Sequence, residues 1–217
     1  MVIFGDYDVD GVTATALLLE VLQPLGWRVT FYLPHRLDEG YGLTIEAVDR
    51  CLERSPARLL LAVDCGSTTC DTIARLKTRG IDVIVLDHHQ VSSPPPNAVA
   101  LVNPQLAPPG PDSLQQLCSV GLAFKLAHAL VKRGRALGWP LAEQFDLRPL
   151  LDLVALGTVA DMVPLTGENR VLVSAGLVRL NTLQRPRLFA LKQVAPVPGT
   201  IGAVEVGFQL PPRLKAA

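Results

Sequence analysis

The sequence has no long apolar run, and its first residues have no secretory signal. Its longest apolar stretches are about the length of one strand or helix and are interrupted by charged residues. A membrane-spanning helix needs about 20 consecutive apolar residues, so we expect no membrane partner. The first residues lack the basic and apolar regions of a signal peptide, and we therefore expect a cytoplasmic protein.

Cysteine is scarce, and charge of neither sign is in excess. The four cysteines show neither a CxxC pair nor the spacing of a disulfide framework, so free thiols are expected at Cys51, Cys65, Cys70 and Cys118. The 20 basic and 20 acidic residues balance, which argues against a wholly basic surface for duplex DNA. Residues 1–111 are nevertheless acidic and residues 112–217 basic. An acidic half suits the binding of metal ions, and a basic half suits the binding of a polyanion. Solvated helix faces explain this charge asymmetry equally well.

Predicted strands and helices alternate in the first half of the chain. Short continuous apolar or β-branched runs predict strands over residues 2–4, 28–33, 58–66, 82–89 and, more briefly, 99–102. Helices are predicted from residue 12 to a stop at Pro24 and Gly26, over 43–54 and over 68–79, with a polar loop over 34–42. This alternation predicts an α/β fold in which helices cover both faces of a parallel sheet.

The second half of the chain is predicted to be helical. Residues 92–113 hold seven prolines and form a connection. Helices follow over 119–138 (with Ser119 as N-cap), 147–165, 168–183 and 186–194. We expect residues 1–113 to form the α/β core and residues 114–217 to form the helical remainder of the same domain.

Ionisable side chains stand at the C-terminal ends of three predicted strands. They are Asp6, Asp8 and Asp10, then Asp64, then Asp87, His88 and His89. On an extended backbone the first three carboxylates would share a face and repel one another unless a cation neutralised them. When the three aspartates are considered by themselves, an aspartate-rich turn is the alternative explanation. Because ligands of parallel sheets bind at the carboxyl ends of strands, three such groups at one edge predict a preformed site.

Two other ionisable residues are less informative. Asp161 ends an apolar predicted helix, where a carboxylate is costly unless it is paired or bound to a metal. Taken alone, Asp161 is better explained as a hydrogen-bonding residue at the helix end, and a metal site nearby would favour a role as ligand. His128 lies between Lys125 and Lys132 along the helix, and we interpret it as a surface or packed histidine.

The residue types indicate the chemistry. Aspartates with one or two histidines form an oxygen-rich set, which suits Mn²⁺, Mg²⁺ or Co²⁺ better than a structural zinc ion. Six or more candidate ligands exceed the need of one ion, so two are expected. Two metal ions roughly 3.5–4 Å apart activate water and stabilise both oxygens of an in-line displacement at phosphorus. Phosphoester hydrolysis is therefore the predicted reaction class.

The same residues carry a family resemblance. Four segments resemble the motifs of the DHH phosphoesterase superfamily: "DYDVDG" (6–11), "VDCG" (63–66), "DHH" (87–89) and "GTVADMVPL" (157–165). Two more, "RLDEGYGL" (36–43) and "VGFQLPPRLKAA" (206–217), resemble segments of its RecJ-like exonucleases. The likeness covers essentially the whole chain. The four superfamily motifs and "RLDEGYGL" make five motifs in register.

The resemblance implies roles for individual residues. Two Mn²⁺ ions are implied, with the metal ligands Asp6, Asp8, Asp10, Asp64, His88 and Asp161. Asp64 would bridge the ions, and Asp6 would be a ligand or lie close behind one. The implied catalytic residues are Asp64, Asp87, His88 and His89, of which His89 would contact the scissile phosphate and Asp87 would orient an imidazole. The implied substrate-binding residues are His89, Arg36, Tyr41 and Gly42; for Arg36 a salt bridge with Asp38 or Glu39 is the alternative.

The function implied by the resemblance is 5′–3′ exonuclease action on single-stranded DNA in repair and recombination. A single-strand-binding protein and a helicase would be its protein partners. A phosphodiesterase for oligonucleotides or cyclic dinucleotides is one alternative, and a non-catalytic scaffold is another. RecJ-like proteins continue into a second (DHHA1-type) domain and an OB domain. We expect this chain to be a truncated form without them.

Overall fold

Five short strands form one parallel sheet in the order β2-β1-β3-β4-β5. The structure is a computed structural model that describes residues 1–108, 114–182, 185–195, 197 and 199–215. The strands are β1 (Val2–Gly5), β2 (Thr30–Tyr32), β3 (Leu59–Val63), β4 (Asp82–Leu86) and β5 (Ala100–Val102). The predicted α/β fold with a parallel sheet is confirmed.

Helices connect and cover the strands. In the first half they are α1 (Val9–Leu22), α2 (Arg36–Glu39), α3 (Ile45–Arg54) and α4 (Cys70–Thr78). In the second half they are α5 (Ser119–Ala136), α6 (Pro140–Glu143), α7 (Leu151–Ala160), α8 (Gly167–Thr182), α9 (Pro186–Val194), α10 (Ala203–Phe208) and α11 (Pro211–Lys215). Single 3-10 turns occur at Pro104–Leu106, Leu114–Gln116 and Arg148–Leu150.

The side chains of the sheet alternate between two cores. Val2 and Phe4 pack with residues of α3 and α4 on one face. Ile3, between them, packs with residues of α1, α5 and α7 on the other face. Because both faces are covered, each central strand is buried on both sides. This explains why the strands read as continuous apolar runs.

Helix α7 is apolar on all sides because it has neighbours on all sides. It contacts α1, α5, α8 and α10. Gly176 of α8 lets the two backbones approach closely, since a Cβ atom there would lie 2.1 Å from the carbonyl oxygen of Leu151. A third apolar cluster, which includes Leu156 and Val206, joins α7 to the C-terminal helices. The fold thereby fixes the C-terminal end of α7 relative to the sheet.

Several predicted boundaries were wrong. The helix predicted over 147–165 starts with a 3-10 turn and ends at Ala160. Met162 has a left-handed backbone (φ 62°), which ends the helix although apolar residues continue the pattern. The predicted loop 34–42 contains the single turn α2, and β2 is shorter than predicted. The short helices α6, α10 and α11 were not predicted, because they are too short to show a helical period.

Other boundaries bear on the site or lie outside the described residues. The strands predicted over 58–66 and 82–89 end at Val63 and Leu86, so the ionisable residues follow them in loops. The structure does not describe residues 109–113 and 183–184. The first gap includes residue 113, where the predicted α/β core ends. The second includes residue 183, the last residue of the helix predicted over 168–183. Among the described residues, no helix is both long enough and apolar enough to span a membrane.

Candidate metal centre

Three neighbouring strands bring three carboxylates to one edge of the sheet. Gly5 of β1 pairs with Val63 of β3, and Val63 pairs with Leu86 of β4. The next residue on each strand is an aspartate: Asp6, Asp64 and Asp87. Each is about 1% exposed. The parallel register therefore places three buried carboxylates side by side at the carboxyl end of the sheet.

The extended backbone expected over the first three aspartates was wrong. Asp8 is the N-cap of α1 and accepts a hydrogen bond from the backbone N–H of Gly11 at 3.0 Å. Asp10 lies in the first turn of α1 and is buried. Gly11 permits this tight entry, since a Cβ atom there would lie 2.6 Å from the carbonyl oxygen of Asp6. A turn rather than an extended chain therefore brings Asp6, Asp8 and Asp10 to the site.

Asp64 has an unusual backbone conformation. Its φ is 65°, a left-handed value that only Gly, Asn and Asp adopt routinely. Its backbone N–H still donates to the carbonyl oxygen of Leu86 at 3.0 Å. Oδ1 of its carboxylate accepts a hydrogen bond from the hydroxyl group of Ser119 at 2.8 Å. Such local strain is characteristic of functional sites.

Asp87 holds the turn that carries the two histidines. Its Oδ1 accepts hydrogen bonds from the backbone N–H of His88 (2.8 Å) and of His89 (3.2 Å) and lies 2.8 Å from Nδ1 of His89. Its Oδ2 accepts from the backbone N–H of Ser67 at 3.1 Å. With every oxygen of Asp87 engaged, its carboxylate fixes the orientation of the His89 ring.

His88 faces three carboxylates without a hydrogen bond to any of them. Its Nε2 lies 3.5 Å from Asp64, 3.6 Å from Asp161 and 3.8 Å from Asp10. These distances exceed the usual range for a strong hydrogen bond. They are compatible with an ion that several of these atoms would bind together.

The second half of the chain adds two elements to the site. Asp161 is the C-cap of α7 and lies close to His88. At the start of α5, the backbone N–H groups of Ser119 and Val120 donate to the two oxygens of Asp10 at 2.6 and 2.8 Å. The predicted N-cap role of Ser119 was wrong, because Cys118 occupies the N-cap position and has no side-chain capping hydrogen bond.

A buried amide supports the histidine turn from behind. Nδ2 of Asn103 donates to Oγ of Ser67 and to the carbonyl oxygen of His89, both at 2.8 Å. Oδ1 of Asn103 accepts from the backbone N–H of Gln105 at 2.8 Å. Sequence reasoning missed Ser67, Asn103 and the contacts of Ser119. Single polar residues carry no periodic pattern that would identify them.

Three groups of side chains place potential ligand atoms within 4.8 Å of one another. They are Asp6, Asp8 and Asp64; Asp64, His88 and His89; and Asp10, Cys118 and Asp161. Several buried ligand atoms in the described part of the chain have no hydrogen-bond partner, namely Oδ1 of Asp6, Oδ2 of Asp64 and Nε2 of His88. Unpartnered buried carboxylate oxygens are costly. The donor set fits oxygen-preferring divalent cations.

Burial and crowding shift the pKa values of the carboxylates upwards. Burial raises the pKa of Asp6 to about 6, and Asp8 adds to the effect. Burial also raises the pKa of Asp10 to about 6, against the lowering effect of the two backbone N–H groups. Burial, followed by the charges of Asp10 and Asp8, raises the pKa of Asp64 well above its ordinary value. A bound cation would offset this repulsion.

In the turn formed by Asp87, His88 and His89, two pKa values are lowered and one is raised. Burial raises the pKa of Asp87, but hydrogen bonds from His89 and Ser67 outweigh it and lower the value to about 2. Burial, and then the charge of His89, lower the pKa of His88 to about 4. The hydrogen bond to Asp87 raises the pKa of His89. His88 is therefore neutral near pH 7, which is the form that binds metals.

Of the predicted substrate-binding residues, Tyr41 lies beside His89, and Arg36 is linked to Tyr41 through the Tyr7 ring. The hydroxyl group of Tyr41 is 3.5 Å from Nε2 of His89, and the Tyr41 ring makes an edge contact with Tyr7. The guanidinium group of Arg36 lies over the Tyr7 ring, 5.5 Å from its centre. Gly42, next to Tyr41, has a left-handed backbone (φ 76°).

The alternative salt bridge of Arg36 is not formed. Asp38 pairs with His35 at 2.9 Å, whereas Glu39 contacts Tyr32 and Arg50. The guanidinium group of Arg36 contacts the Tyr7 ring instead.

Residues interpreted as structural lie as expected. His128 is exposed on α5, in a cleft between Lys125 and Lys132. The four cysteines are free thiols, three of them buried. Cys118 lies close to Asp10 and Asp161. Burial, and then the charge of Asp10, raise its pKa well above the ordinary value, so it is a neutral thiol.

Comparison with curated proteins finds relatives over the whole chain. The chain is 42% identical over 219 residues to the single-stranded-DNA-specific exonuclease RecJ of Bacillus subtilis (strain 168), covering 100% of this chain and 26% of that protein. It is 42% identical over 221 residues to RecJ of Haemophilus influenzae, covering 100% of this chain and 38% of that protein. The chain thus spans about a quarter to two fifths of the length of these relatives.

Solved structures and a family model agree with these matches. An exonuclease RecJ bound to manganese superposes with a TM-score of 0.83 at 39% identity, covering 100% of this chain and 52% of that chain. RecJ from Thermus thermophilus in complex with Mn²⁺ superposes with a TM-score of 0.77 at 36% identity, covering 98% of this chain and 29% of that chain. The model described as "DHH family, N-terminal domain" matches residues 1–158. The predicted resemblance is confirmed: the chain belongs to the DHH family.

Proposed function

We propose that the protein is a divalent-metal-dependent phosphodiesterase that removes nucleotides from the 5′ end of single-stranded DNA. One observation carries the proposal. Oδ1 of Asp6, Oδ2 of Asp64 and Nε2 of His88 are buried at one edge of the sheet without hydrogen-bond partners in the described residues. Since such atoms are costly unless something binds them, the arrangement supports a metal site.

The donor groups suggest how two ions would be held. Asp6, Asp8 and Asp64 would hold one ion, and Asp10, Asp64, His88 and Asp161 would hold the other. We propose Mn²⁺, with Mg²⁺ and Co²⁺ as alternatives, because carboxylate oxygens predominate. When bound, such ions supply positive charge that stabilises the oxygens of a phosphodiester under attack. The manganese bound to the similar RecJ structures supports this choice.

The chain's own groups then orient the substrate. The hydrogen bond from Nδ1 to Asp87 favours the protonated form of His89, which can donate a hydrogen bond to a phosphate oxygen. Tyr41 borders His89, and aromatic rings of this kind stack on unpaired bases. Arg36 would contact the DNA backbone, and the left-handed turn at Gly42 would set the position of Tyr41.

The finer parts of the proposal depend on the relatives. Their printed name, single-stranded-DNA-specific exonuclease, supports single-stranded DNA as the substrate. Action on cellular DNA would place the protein in the cytoplasm. A single-strand-binding protein and a helicase remain proposed partners. We also retain the proposed division into an α/β core (1–113) and a helical remainder (114–217).

A hydrolysis assay separates the proposed function from its alternatives. The 217-residue chain would be incubated with Mn²⁺ and with 5′-labelled or 3′-labelled single-stranded DNA, a dinucleotide or a cyclic dinucleotide. Release of nucleotides from the 5′ end of DNA is expected, and chelation should abolish it. Preference for a dinucleotide or cyclic dinucleotide would favour the alternative phosphodiesterase, and Mn²⁺ binding without hydrolysis would favour a scaffold.

A further inference from the structure

Ser119 contacts two of the proposed ligand residues at once. Its hydroxyl group donates to Oδ1 of Asp64 at 2.8 Å, and its backbone N–H donates to Oδ2 of Asp10 at 2.6 Å. The three residues are separated by 54 or more positions along the chain, and all three are buried. Ser119 thus links the helical second half of the chain to carboxylates of both proposed ion sites.

The contact with Asp64 leaves its two oxygens unequal. Oδ1 accepts a hydrogen bond from the hydroxyl group of Ser119, whereas Oδ2 is buried and has no hydrogen-bond partner within the described residues. A carboxylate with one oxygen held has a fixed plane. A ligand atom in a fixed position loses less entropy when an ion binds.

The contact with Asp10 uses the end of a long helix. Cys118, at the N-cap of α5, makes no capping hydrogen bond with its side chain. The Asp10 carboxylate accepts the N–H groups of Ser119 and Val120 instead. These groups are among the donors that a helix leaves unpaired at its start. Asp10 therefore caps α5 from α1, and the 18-residue helix α5 fixes where this carboxylate lies.

We propose that Ser119 is a positioning residue for the metal centre: its hydroxyl group holds Oδ1 of Asp64 and thereby fixes the plane of the carboxylate that would bind divalent ions, while its backbone N–H fixes Asp10. The inference depends on the proposed function, because it concerns the same ions. Ser119 would act through Asp64 and Asp10, and its side chain would not itself contact an ion or the substrate. Loss of the hydroxyl group should weaken metal binding without removing a ligand.

The test is calorimetric titration of the 217-residue chain with Mn²⁺ at a temperature well below unfolding. Ser119→Ala should weaken binding on the order of 10-fold or more, as loss of a hydrogen bond to a ligand generally does. Ser119→Gly also lacks the hydroxyl group and provides a second variant if Ser119→Ala folds poorly. Thr13→Val is the matched control, because within the described residues the buried Thr13 hydroxyl donates to the carbonyl oxygens of Val9 and Asp10 and to no side chain. It should bind Mn²⁺ as the wild type does.

The outcomes separate this inference from the proposed function. If the wild type binds Mn²⁺ and both Ser119 variants bind it equally well, the positioning role is wrong and the proposed function stands. If Thr13→Val weakens binding as much as Ser119→Ala, the effect is one of general packing and the positioning role is again wrong. If the wild type binds no divalent ion, the proposed function fails, and this inference fails with it.

Discussion

Nε2 of His88 lies 3.5 Å from Oδ1 of Asp64, although 23 residues separate them along the chain. The pairing of Val63 with Leu86 in neighbouring parallel strands brings the two loops together. The hydrogen bond from the N–H of Asp64 to the carbonyl oxygen of Leu86 continues that pairing beyond the strand end. The sheet therefore builds the geometry of the site before any ion binds.

Replacement of Asp64 should affect stability and metal binding in opposite directions. Asp64→Asn keeps the side-chain volume and removes a buried carboxylate whose pKa is raised by burial and by Asp10 and Asp8. The metal-free variant should therefore melt at a higher temperature than the wild type. Its affinity for Mn²⁺ should fall by more than about 10-fold. Scanning calorimetry and titration measure the two effects.

The control for this variant is the same change at an exposed aspartate. Asp71, on α4, is exposed, and Asp71→Asn should leave both the melting temperature and the Mn²⁺ affinity close to wild type. A lower melting temperature for metal-free Asp64→Asn, or unchanged Mn²⁺ binding, would contradict the interpretation of Asp64 as a destabilised ligand.

The affinity for Mn²⁺ should rise with pH between pH 5 and pH 7. The pKa values of Asp6 and Asp10 are raised to about 6 by burial, so these groups must release protons before they bind an ion. Each protonated group costs about 1.4 kcal/mol per pH unit below its pKa. His88, with a pKa lowered to about 4 by burial, stays neutral over this range. Titration in buffers with different ionisation heats measures the released protons. A Mn²⁺ affinity that does not change from pH 5 to pH 7 would contradict the proposed release of protons from Asp6 and Asp10.

The stability of the metal-free protein should respond to these two groups with the opposite sign. Their folded pKa values of about 6 lie above the ordinary value of 3.8, so the folded state retains protons that the unfolded state has lost. The contribution of Asp6 and Asp10 to the free energy of unfolding is full below about pH 4 and is lost as the pH rises through about 6. The thermal shift produced by Mn²⁺ should accordingly be larger at pH 7 than at pH 5.

Asn103 should stabilise the histidine turn. Asn103→Ala removes the donor that bonds Ser67 and the carbonyl oxygen of His89 and leaves buried acceptors without partners. A loss of about 1–3 kcal/mol in the free energy of unfolding is expected, together with lower hydrolytic activity. Denaturant titration measures the first effect. Asn97→Ala, at an exposed position, is the control and should be nearly neutral; an equal loss there would contradict the role of Asn103.

Gly157 should be essential for the approach of α7 to the site. A Cβ atom there would lie 2.3 Å from Oγ1 of Thr13, 2.7 Å from Cγ1 of Val120 and 3.1 Å from Oδ1 of Asp10. Gly157→Ala should destabilise the protein by about 1–3 kcal/mol through overpacking and should weaken Mn²⁺ binding by displacing Asp10.

Gly207 offers the matched control for that change. It lies in α10, and of the described residues a Cβ atom there would meet only Cγ1 of Val159, at 3.7 Å. Gly207→Ala should be neutral or stabilising by up to about 1 kcal/mol, because alanine favours the helix. Thermal melting distinguishes the two. Equal stability of the two variants would show that the close contacts at Gly157 are not limiting.

The sequence predicted the sheet edge better than the remainder of the site. Strands such as β3 and β4 are continuous apolar runs, and parallel pairing requires their C-terminal ends to meet. The convergence of Asp6, Asp64 and Asp87 therefore follows from the pattern alone. The roles of Asp6 and Asp64 as metal ligands, and of Asp87 in catalysis, stay predictions.

Other parts of the site depend on tertiary contacts that no local pattern reports. Ser119 has the residue type of an N-cap, but the cap of α5 comes from Asp10, 109 residues earlier. The apolar sequence after Asp161 continued the helical pattern, whereas the left-handed backbone at Met162 ends the helix. A contact between distant segments decides the first case, whereas the second is a local backbone feature at an exposed residue.

Anomalous diffraction from crystals soaked in Mn²⁺ tests the central claim most directly. The account predicts two peaks bounded by His88 and by the carboxylates of Asp6, Asp8, Asp10, Asp64 and Asp161, with Asp64 in contact with both. Crystals without anomalous density among these side chains, at a pH above 7 and with Mn²⁺ in excess, would contradict it.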